Sequence, residues 1–393
     1  MREPLSLAPE TESELGEILA AACADRRWVE VRGGGSKADI GRPQRLVQRI
    51  STARLAGVID YDPAELVLTV GAGERLDAIE TLLAASRQML AFEPFDFGPV
   101  FGQPAGSSTI GGVVAAGIAG SRRLSAGNVR DHVLGFTAVS GAGQVFKAGG
   151  RVVKNVTGYD VSKLMTGSWG RLAVMTQMSL KVMPCPRATL TLTVRGLSLV
   201  QGASVLAQGL RSQADLAAAA FTPAGGGLAA MRLEGSSPSI EARARLLRDL
   251  FGGTGVLERL DEAAAERLWT SVRDGSMLGQ GAADDVLWRV SLPLSAGGRV
   301  AGDLVRLGGK VMLDWAGGLV WALIPAMAVA RVREIAEAAG GHAMMVRAQE
   351  SVRKTTPALH PEAPGVAALA ARVKAALDPN AILDPQRFSE AGR

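Results

Sequence analysis

Two glycine-rich stretches decide the fold of this chain: RGGGSK at residues 32–37 and QPAGSSTIGG at residues 103–112. Glycine reaches positive φ angles and lets the backbone approach a ligand closely, and successive N–H groups that face one concavity bind anions. Two such loops in one chain suit a single long anionic ligand. The pair therefore predicts a dinucleotide site built from distant segments, although RGGGS alone is equally compatible with a surface turn.

The first loop differs from the common nucleotide-binding loops. It follows the apolar residues 28–31, which predict a strand, and continues into ADIGRP at residues 38–43, which does not start a long helix. The Rossmann fingerprint requires a helix directly after its glycines, and residues 34–37 lack the Walker A spacing. Both of these phosphate-binding motifs are therefore excluded.

The second loop combines several groups that suit a phosphate-bearing ligand. Small residues at 111, 112, 117 and 120 allow close packing, and residues 107–109 supply hydroxyls. Arg122, Arg123 and Arg130 add positive charge, although each alone is also compatible with a solvated surface. The apolar runs 133–140 and 144–148, joined by Gly-Ala-Gly, predict a β-hairpin.

Five segments carry a resemblance to a known fold: RGGGS, TIGGVVAAGIAG, VRDHVLGFTAVSGAG, VKNVTGYDVSKLMTGSWGRLAVMT and LDPNAILDPQR. In order and spacing they resemble the FAD-binding superfamily of vanillyl-alcohol oxidase, D-lactate dehydrogenase and the glycolate oxidase subunits. Within it, the chain most resembles the FAD-binding E subunits of glycolate oxidase. The resemblance implies an α+β fold, with a two-subdomain PCMH-type FAD-binding domain, an α+β cap domain and a short C-terminal return segment.

The resemblance also implies where FAD binds. Covalent relatives carry a histidine in the first loop, and Ser36 stands at that place, so we expect non-covalent FAD. The expected contacts are Arg32, Gly33, Gly34, Gly35, Ser36, Lys37, Pro104, Gly106, Ser107, Ser108, Thr109, Ile110, Gly111, Gly112, Ala115, Gly117, Gly120, Ser121, Gly170, Val174 and Thr176.

Local patterns predict the domain limits. Asp160 is expected to cap a short helix at 161–165, a strand follows at 172–182, and MPCP at 183–186 breaks the pattern. We expect an FAD-binding domain at 1–183, a cap at 187–350 whose sheet is covered on one face and lies over the flavin ring, and a linker at 351–365. A final helix and tail at 366–393 should pack on the FAD-binding domain.

The catalytic residues are less evident. Flavin-dependent oxidation of a 2-hydroxy acid needs a cation for the carboxylate and a base for the hydroxyl proton. The chain has three histidines, without metal-binding spacing, and departs from the histidine pair that catalytic relatives carry in the cap. The candidates are Tyr159, His342 and Arg347. Each is also compatible with a structural role, Tyr159 as a buried aromatic residue.

Composition limits the function classes. Two cysteines cannot form a disulfide framework or ligate an iron–sulfur cluster, and no metal site is expected. A net charge of +5 with sparse aromatic residues argues against nucleic-acid binding. Residues 1–17 do not resemble a secretory signal, and the apolar stretches are too short to span a bilayer. We expect a cytoplasmic protein that reaches the membrane only through partners.

Three functions remain open from the sequence. The resemblance favours the FAD-binding subunit of a glycolate oxidase complex, which oxidises glycolate to glyoxylate with a homologous flavoprotein subunit and an iron–sulfur subunit. The alternatives are a stand-alone FAD-dependent dehydrogenase of another small 2-hydroxy acid and a non-catalytic scaffold subunit. The intact glycine loops argue against the scaffold.

Overall fold

The computed structural model describes residues 6–44, 48–150, 159–279, 281–383 and 386–388. The chain divides into two compact units. Unit 1 comprises Met1–Ala119, Asn128–Cys185 and Pro361–Arg393, and unit 2 comprises Gly120–Gly127 and Pro186–His360. Lys154 and Asn155 of the VKNVTGYD motif, whose roles the sequence left open, lie outside the described residues. None of the helices described in these ranges is long and apolar enough to cross a membrane.

The elements of the first half of the chain all belong to unit 1 except α4. They are β1 (Ser6–Leu7), α1 (Glu12–Ala24), β2 (Val29–Arg32), β3 (Gln48–Ser51), β4 (Val58–Asp62), β5 (Val67–Gly71), α2 (Leu76–Ala85), β6 (Gln88–Met89), α3 (Ile110–Ala116), α4 (Arg123–Ala126), β7 (Val133–Ser140), β8 (Val145–Gly149), α5 (Val161–Met165), β9 (Ala173–Lys181) and β10 (Met183–Pro184).

Unit 1 is built on two principal sheets. One is a parallel sheet in the order β1-β3-β2, and the other is an antiparallel sheet in the order β4-β5-β9-β7-β8. The predicted hairpin is confirmed as β7 and β8, whose turn uses Gly143 at φ +81°. The predicted helix cap is also confirmed, because the Asp160 carboxylate accepts a hydrogen bond from the Lys163 backbone N–H.

The elements of the second half belong to unit 2 until the last helix. They are β11 (Ala188–Arg195), α6 (Leu199–Arg211), β12 (Ala218–Thr222), β13 (Leu228–Gly235), α7 (Ser237–Phe251), β14 (Val256–Arg259), α8 (Glu262–Arg273), β15 (Val286–Ser291), α9 (Gly297–Arg306), β16 (Lys310–Asp314), β17 (Leu319–Ile324), α10 (Val329–Ala338), β18 (His342–Arg347), α11 (Glu350–Thr355) and, in unit 1, α12 (Pro364–Leu377).

Unit 2 is an eight-stranded antiparallel sheet in the order β14-β11-β13-β12-β16-β17-β15-β18. Alternate strand residues, such as Val286, Trp288 and Val290 of β15, form one large apolar core with residues of α6, α7, α9 and α10. The sheet was expected to be covered on one face. However, α8 packs on the opposite face, where Trp269 Nε1 donates a hydrogen bond to Thr191 Oγ1 at 3.0 Å.

The mixture of helices and strands confirms the predicted α+β class, but three elements differ from the sequence expectation. The pattern did not reveal β12, an alanine-rich strand of low β propensity, or the short exposed strand β14. Part of the segment expected as a linker forms α11, which the Glu350–Lys354 ion pair stabilises across one helical turn.

The C-terminal segment returns to β2 of unit 1. The Val29 N–H donates to the Ile382 carbonyl at 2.8 Å, and Val29 and Leu383 form a parallel bridge. Asp378 anchors this segment, because its buried carboxylate accepts hydrogen bonds from the N–H groups of Ile382 and Leu383 at 3.0 and 2.9 Å and pairs with Lys374. The anchor therefore supports the strand that leads into the first glycine loop.

We predict that Asp378→Ala lowers the free energy of unfolding by about 2–4 kcal/mol, because it leaves two buried N–H groups without their acceptor and removes the carboxylate that pairs with Lys374. Denaturant unfolding of the purified chain measures this change. Asp378→Asn should lose less, because its amide oxygen still accepts. Asp284→Ala, at an exposed aspartate, is the control and should change stability by less than about 0.5 kcal/mol. A loss no larger than that of the control would contradict the anchoring role.

Candidate functional site

The first glycine loop begins where β2 ends at Arg32. Its residues 33–37 turn sharply because Gly35 adopts φ +77°, a backbone conformation that side chains disfavour. The Arg32 guanidinium is held beside the strand by a 2.8 Å ion pair with Glu30. This strand-to-loop transition is the one that the sequence predicted.

The second loop lies directly against the first. A Cβ atom built on Gly33 would lie 2.0 Å from Thr109 Oγ1, and one built on Gly34 would lie 1.7 Å from the Ser107 carbonyl oxygen. The hydroxyl oxygens of Ser36 and Ser108 are 3.0 Å apart in a buried hydrogen bond. The two loops thus approach so closely that only glycine fits at positions 33 and 34.

A buried aspartate that the sequence analysis missed shapes the second loop. The Asp96 carboxylate accepts hydrogen bonds from the Gly98 and Gly106 N–H groups at 3.0 and 2.7 Å and from Ser108 Oγ at 2.9 Å. Its signal was an acidic residue between two phenylalanines in the aromatic stretch FEPFDFG at 92–98. A lone acid among apolar residues is buried only when it is well hydrogen-bonded.

A cavity of about 110 Å³, partly open to solvent, lies beside these loops within unit 1. The expected FAD contacts that line it are Arg32, Gly33, Gly34, Gly35, Ser36, Lys37, Thr109, Gly111, Gly112, Ala115, Gly170 and Val174. Residues that line it without having been predicted are Val31, Ala38, Thr52, Ala72, Trp169, Ala173, Met175 and Arg387.

Nine expected contacts lie outside the described lining. Pro104, Gly106, Ser107 and Ser108 belong to the second loop behind the lining residues, and Ile110 is part of the apolar core. Gly117 ends α3 at φ +65°, and Thr176 Oγ1 donates to Glu12 and to the Thr137 carbonyl. Gly120 and Ser121 belong to unit 2. The motif thus contains residues that line the cavity and residues that do not.

The three arginines after the second loop also do not line the cavity. Arg122 pairs with Glu234 at 2.7 Å and Arg123 stacks on the Trp315 ring, all within unit 2. Arg130 is exposed, 3.9 Å from Asp131. Their expected role as phosphate contacts is therefore not supported by this cavity.

Lys37 is the cationic side chain of the first loop. Its Nζ lies 5.1 Å from the centre of the Phe97 ring and 3.4 Å from Ser36 Oγ. Burial lowers the pKa of Lys37 to about 8, the Asp96 carboxylate acts to raise this pKa, and the Arg387 guanidinium acts to lower it. Arg387 in turn donates hydrogen bonds to the Ile40 and Lys37 carbonyls, so the C-terminal segment also fixes this loop.

The cavity walls fit the chemistry of FAD. Beside the glycine backbone, Thr109 Oγ1 is a buried hydroxyl oxygen without a hydrogen-bond partner among the described residues. Together with Lys37 and Arg387 it suits an anionic diphosphate. The remaining wall is apolar and includes Val174, Ala173 and Ala115, which suits a flat aromatic ring system.

Trp169 gives the cavity an aromatic border that the sequence did not predict. This residue adopts φ +57°, unusual for a bulky side chain, and its N–H donates to the Ala115 carbonyl at 2.8 Å. Its ring lies 6.3 Å from that of Phe97 and 5.2 Å from that of Phe388. The aromatic cluster thereby joins three distant segments of unit 1.

Tyr159 in unit 1 is 94% exposed, which corrects the alternative of a buried aromatic residue. The two catalytic candidates of unit 2, His342 and Arg347, begin and end β18. A bulge in the pairing with β15 places Arg347 opposite Leu287 and His342 opposite Ser291, so the two side chains lie at the two ends of the strand. Partial burial and the charges of Arg289, His360 and Arg123 lower the pKa of His342, which is therefore neutral near pH 7.

We predict that Gly34→Ala strongly reduces the flavin-to-protein ratio of the purified chain, because the added methyl group collides with the Ser107 carbonyl and separates the two loops. Overpacking of this kind also costs about 1–3 kcal/mol of stability. The ratio of flavin to protein absorbance measures the first effect. Gly253→Ala, at a glycine with no neighbouring atom within 4 Å, is the matched control and should retain its flavin. Equal flavin in both variants would disprove the required loop contact.

Comparisons with known proteins agree with this geometry. The FAD binding domain family matches residues 4–149. A search of solved structures finds alkyldihydroxyacetonephosphate synthase with a TM-score of 0.71, covering 97% of this chain and 75% of that chain at 15% identity. At such low identity the likeness shows the fold alone.

Sequence relatives define the family more narrowly. The glycolate oxidase subunit GlcD of Bacillus subtilis is 28% identical over 56% of this chain and 43% of its own length. The glycolate oxidase subunit GlcE of Escherichia coli is 37% identical over 83% of this chain and 84% of its own length. With a cavity formed by two interlocked glycine loops, an FAD-binding domain and this extent of identity, the chain belongs to the GlcE family of glycolate oxidase subunits.

Proposed function

We propose that this chain is the FAD-binding subunit of a glycolate oxidase complex that oxidises glycolate to glyoxylate and passes the electrons to an iron–sulfur partner. The observation that carries the proposal is the diphosphate-suited cavity of unit 1 in a chain that is 37% identical to GlcE over 84% of the length of that protein. A chain that has a cavity suited to FAD is not expected to be a scaffold subunit that has lost flavin binding.

The residues of unit 1 would hold and shield the cofactor. Bound FAD supplies the acceptor for the two electrons that leave the substrate C–H bond. The backbone of residues 33–35 and the hydroxyl of Thr109 would bind the diphosphate, and the Lys37 ammonium would neutralise part of its charge. Val174 and Ala173 would exclude water from one side of the ring system.

The path that electrons take after they leave the flavin implies partner subunits. The whole sequence contains two cysteines, Cys23 and Cys185, whereas an iron–sulfur cluster is generally ligated by four. Electrons that leave the flavin therefore need a cluster on another subunit. The similarity to GlcD supports a second flavoprotein of the same fold as a further partner. We place this complex in the cytoplasm, with any contact to the membrane made through its partners.

We predict that the isolated chain, loaded with FAD, reduces an artificial dye with glycolate at a negligible rate. Addition of a GlcD-type flavoprotein and the iron–sulfur subunit should restore turnover, and the three chains should copurify. Absorbance of bound flavin in the isolated chain separates this proposal from the scaffold, which would be colourless. Rapid glycolate oxidation by the chain alone would overturn the requirement for partners.

A second candidate is a stand-alone dehydrogenase of another small 2-hydroxy acid. The buried cation Arg289 in unit 2, near His342, favours it, because such a cation on this chain would serve a substrate of its own. Dye reduction by the isolated chain with a panel of small 2-hydroxy acids distinguishes this candidate. Turnover of one of these acids without partners would support it over the complex.

We further propose that the FAD is bound non-covalently, with Lys37 as a titrating contact. A phosphate anion raises the pKa of a nearby ammonium, so binding favours charged Lys37. Because the pKa without FAD is about 8, affinity should fall as the pH rises through 8. The stability of the FAD-free chain depends on pH in the opposite direction. In the folded chain the pKa of Lys37 is about 8, below its ordinary value of 10.5, so the free energy of unfolding rises with pH between these two values.

We predict that the dissociation constant for FAD, measured by equilibrium dialysis between pH 7 and 9.5, increases with pH. Lys37→Arg, which stays charged throughout, should lose the part of this dependence centred near pH 8. An identical pH profile in the variant and the parent chain would exclude Lys37 as the titrating contact. Flavin that remains with the acid-precipitated polypeptide would instead contradict non-covalent binding.

A further inference from the structure

The second face of the unit 2 sheet is buried and carries a charged side chain among apolar ones. On β15 the residues that face the apolar core alternate with Leu287, Arg289 and Ser291, which face the other side and are each no more than 9% exposed. The register places Arg289 between Trp321 of β17 and Met344 of β18. A guanidinium buried between two apolar side chains needs a reason beyond packing.

Arg289 has few partners for a buried guanidinium. Among the described residues its one hydrogen bond is from Nη1 to Ser291 Oγ at 3.3 Å, and its buried Nε has none. Arg232 on the same face is also buried but has the Glu234 carboxylate 3.2 Å from its Nε. On this face, Arg232 therefore has a carboxylate as its ion-pair partner, whereas the hydrogen bond of Arg289 is to a hydroxyl.

Trp315 holds Arg289 and a second arginine on its ring. The guanidinium carbons of Arg289 and Arg123 lie 4.7 and 4.1 Å from the ring centre. The ring is fixed by a 2.9 Å hydrogen bond from Nε1 to the Gly120 carbonyl and by a turn in which Trp315 and Ala316 have φ +52° and +54°. Two successive non-glycine residues in this conformation are strained, and such strain concentrates at functional sites.

Asp314, whose charge acts on Arg289, also takes part in the turn. It accepts hydrogen bonds from Ser121 Oγ at 2.8 Å and from the Trp315 N–H at 2.7 Å. Burial and the charge of Arg123 lower the pKa of Arg289 to about 9, against the opposing effect of Asp314. The Trp315 ring thus has two guanidinium groups beside it.

We propose that Arg289 binds the carboxylate of a small organic monocarboxylic acid in unit 2, with Trp315 and Arg123 completing the site. The guanidinium fork of Arg289 matches a planar carboxylate, and its buried Nε makes no hydrogen bond among the described residues. His342 lies on the same face opposite Ser291, the residue that Arg289 contacts. The assignment of the acid as a 2-hydroxy acid rests on the proposed function, whereas the anion site does not.

The test uses the full chain with FAD and no partner subunits. The probe is 2-hydroxyisobutyrate, which has the carboxylate and hydroxyl of a 2-hydroxy acid but no C2 hydrogen to be oxidised. Calorimetry should give a measurable Kd that 2-hydroxyisobutyramide, the uncharged analogue, does not reproduce. Arg289→Met should weaken binding by about 10- to 100-fold, the range for loss of a charge-assisted hydrogen bond.

Further variants separate binding from structure. Arg289→Lys keeps the charge but not the fork and should weaken binding by a smaller factor, which also tests the site if Arg289→Met fails to fold. The control is Arg245→Met, at an exposed position of α7, which should bind as the parent chain does. Removal of an unpaired buried charge should leave Tm unchanged or higher, whereas a structural arginine would lower it.

The results have distinct meanings. Unchanged Kd in both Arg289 variants, or equal binding of the uncharged amide, would overturn the site. A lower Tm with unchanged Kd would assign Arg289 a structural role instead. Neither result depends on glycolate turnover by the assembled complex, so this inference and the proposed function fail independently.

Discussion

The contact between the two glycine loops is the constraint on which unit 1 depends. At Gly34 the backbone of the first loop lies so close to the Ser107 carbonyl that no side chain fits between them. The closeness has two consequences. It brings segments that are distant in sequence into one cavity wall, and it leaves backbone N–H groups, hydroxyls and Lys37 as the groups that face an anion.

Two further devices keep this contact in place. Asp96 folds the second loop around its carboxylate, and Arg387 ties the first loop to the C-terminal segment, which Asp378 anchors. Asp96 and Arg387 are both buried charged side chains with well-formed hydrogen bonds. A buried charge stabilises a structure only when it is hydrogen-bonded in this way. The cofactor cavity is therefore supported by groups that do not themselves need to touch the ligand.

Unit 2 uses charge in a different way. Arg232 has its carboxylate nearby, but Arg289 is buried with one weak hydrogen bond beside a strained turn and a second arginine. A protein selected for stability alone would replace such a residue by an apolar one. Its presence on the second face of the sheet is more consistent with ligand binding than with packing.

The sequence by itself determined the fold class and most of the elements, and it predicted which segments bind FAD. Loop glycines, the Asp160 cap and the strand and helix periods are local signals, readable without knowing what each segment contacts. The tertiary structure alone decided which residues face the cavity: Trp169 and Arg387 line it, whereas Ser108 and Thr176 support it and Ser121 belongs to unit 2. It also decided that His342 and Arg347 lie at opposite ends of β18 and that Arg289 is buried with a single hydrogen bond among the described residues. These properties depend on the direction of a side chain and on neighbours distant in sequence, which a local pattern does not contain.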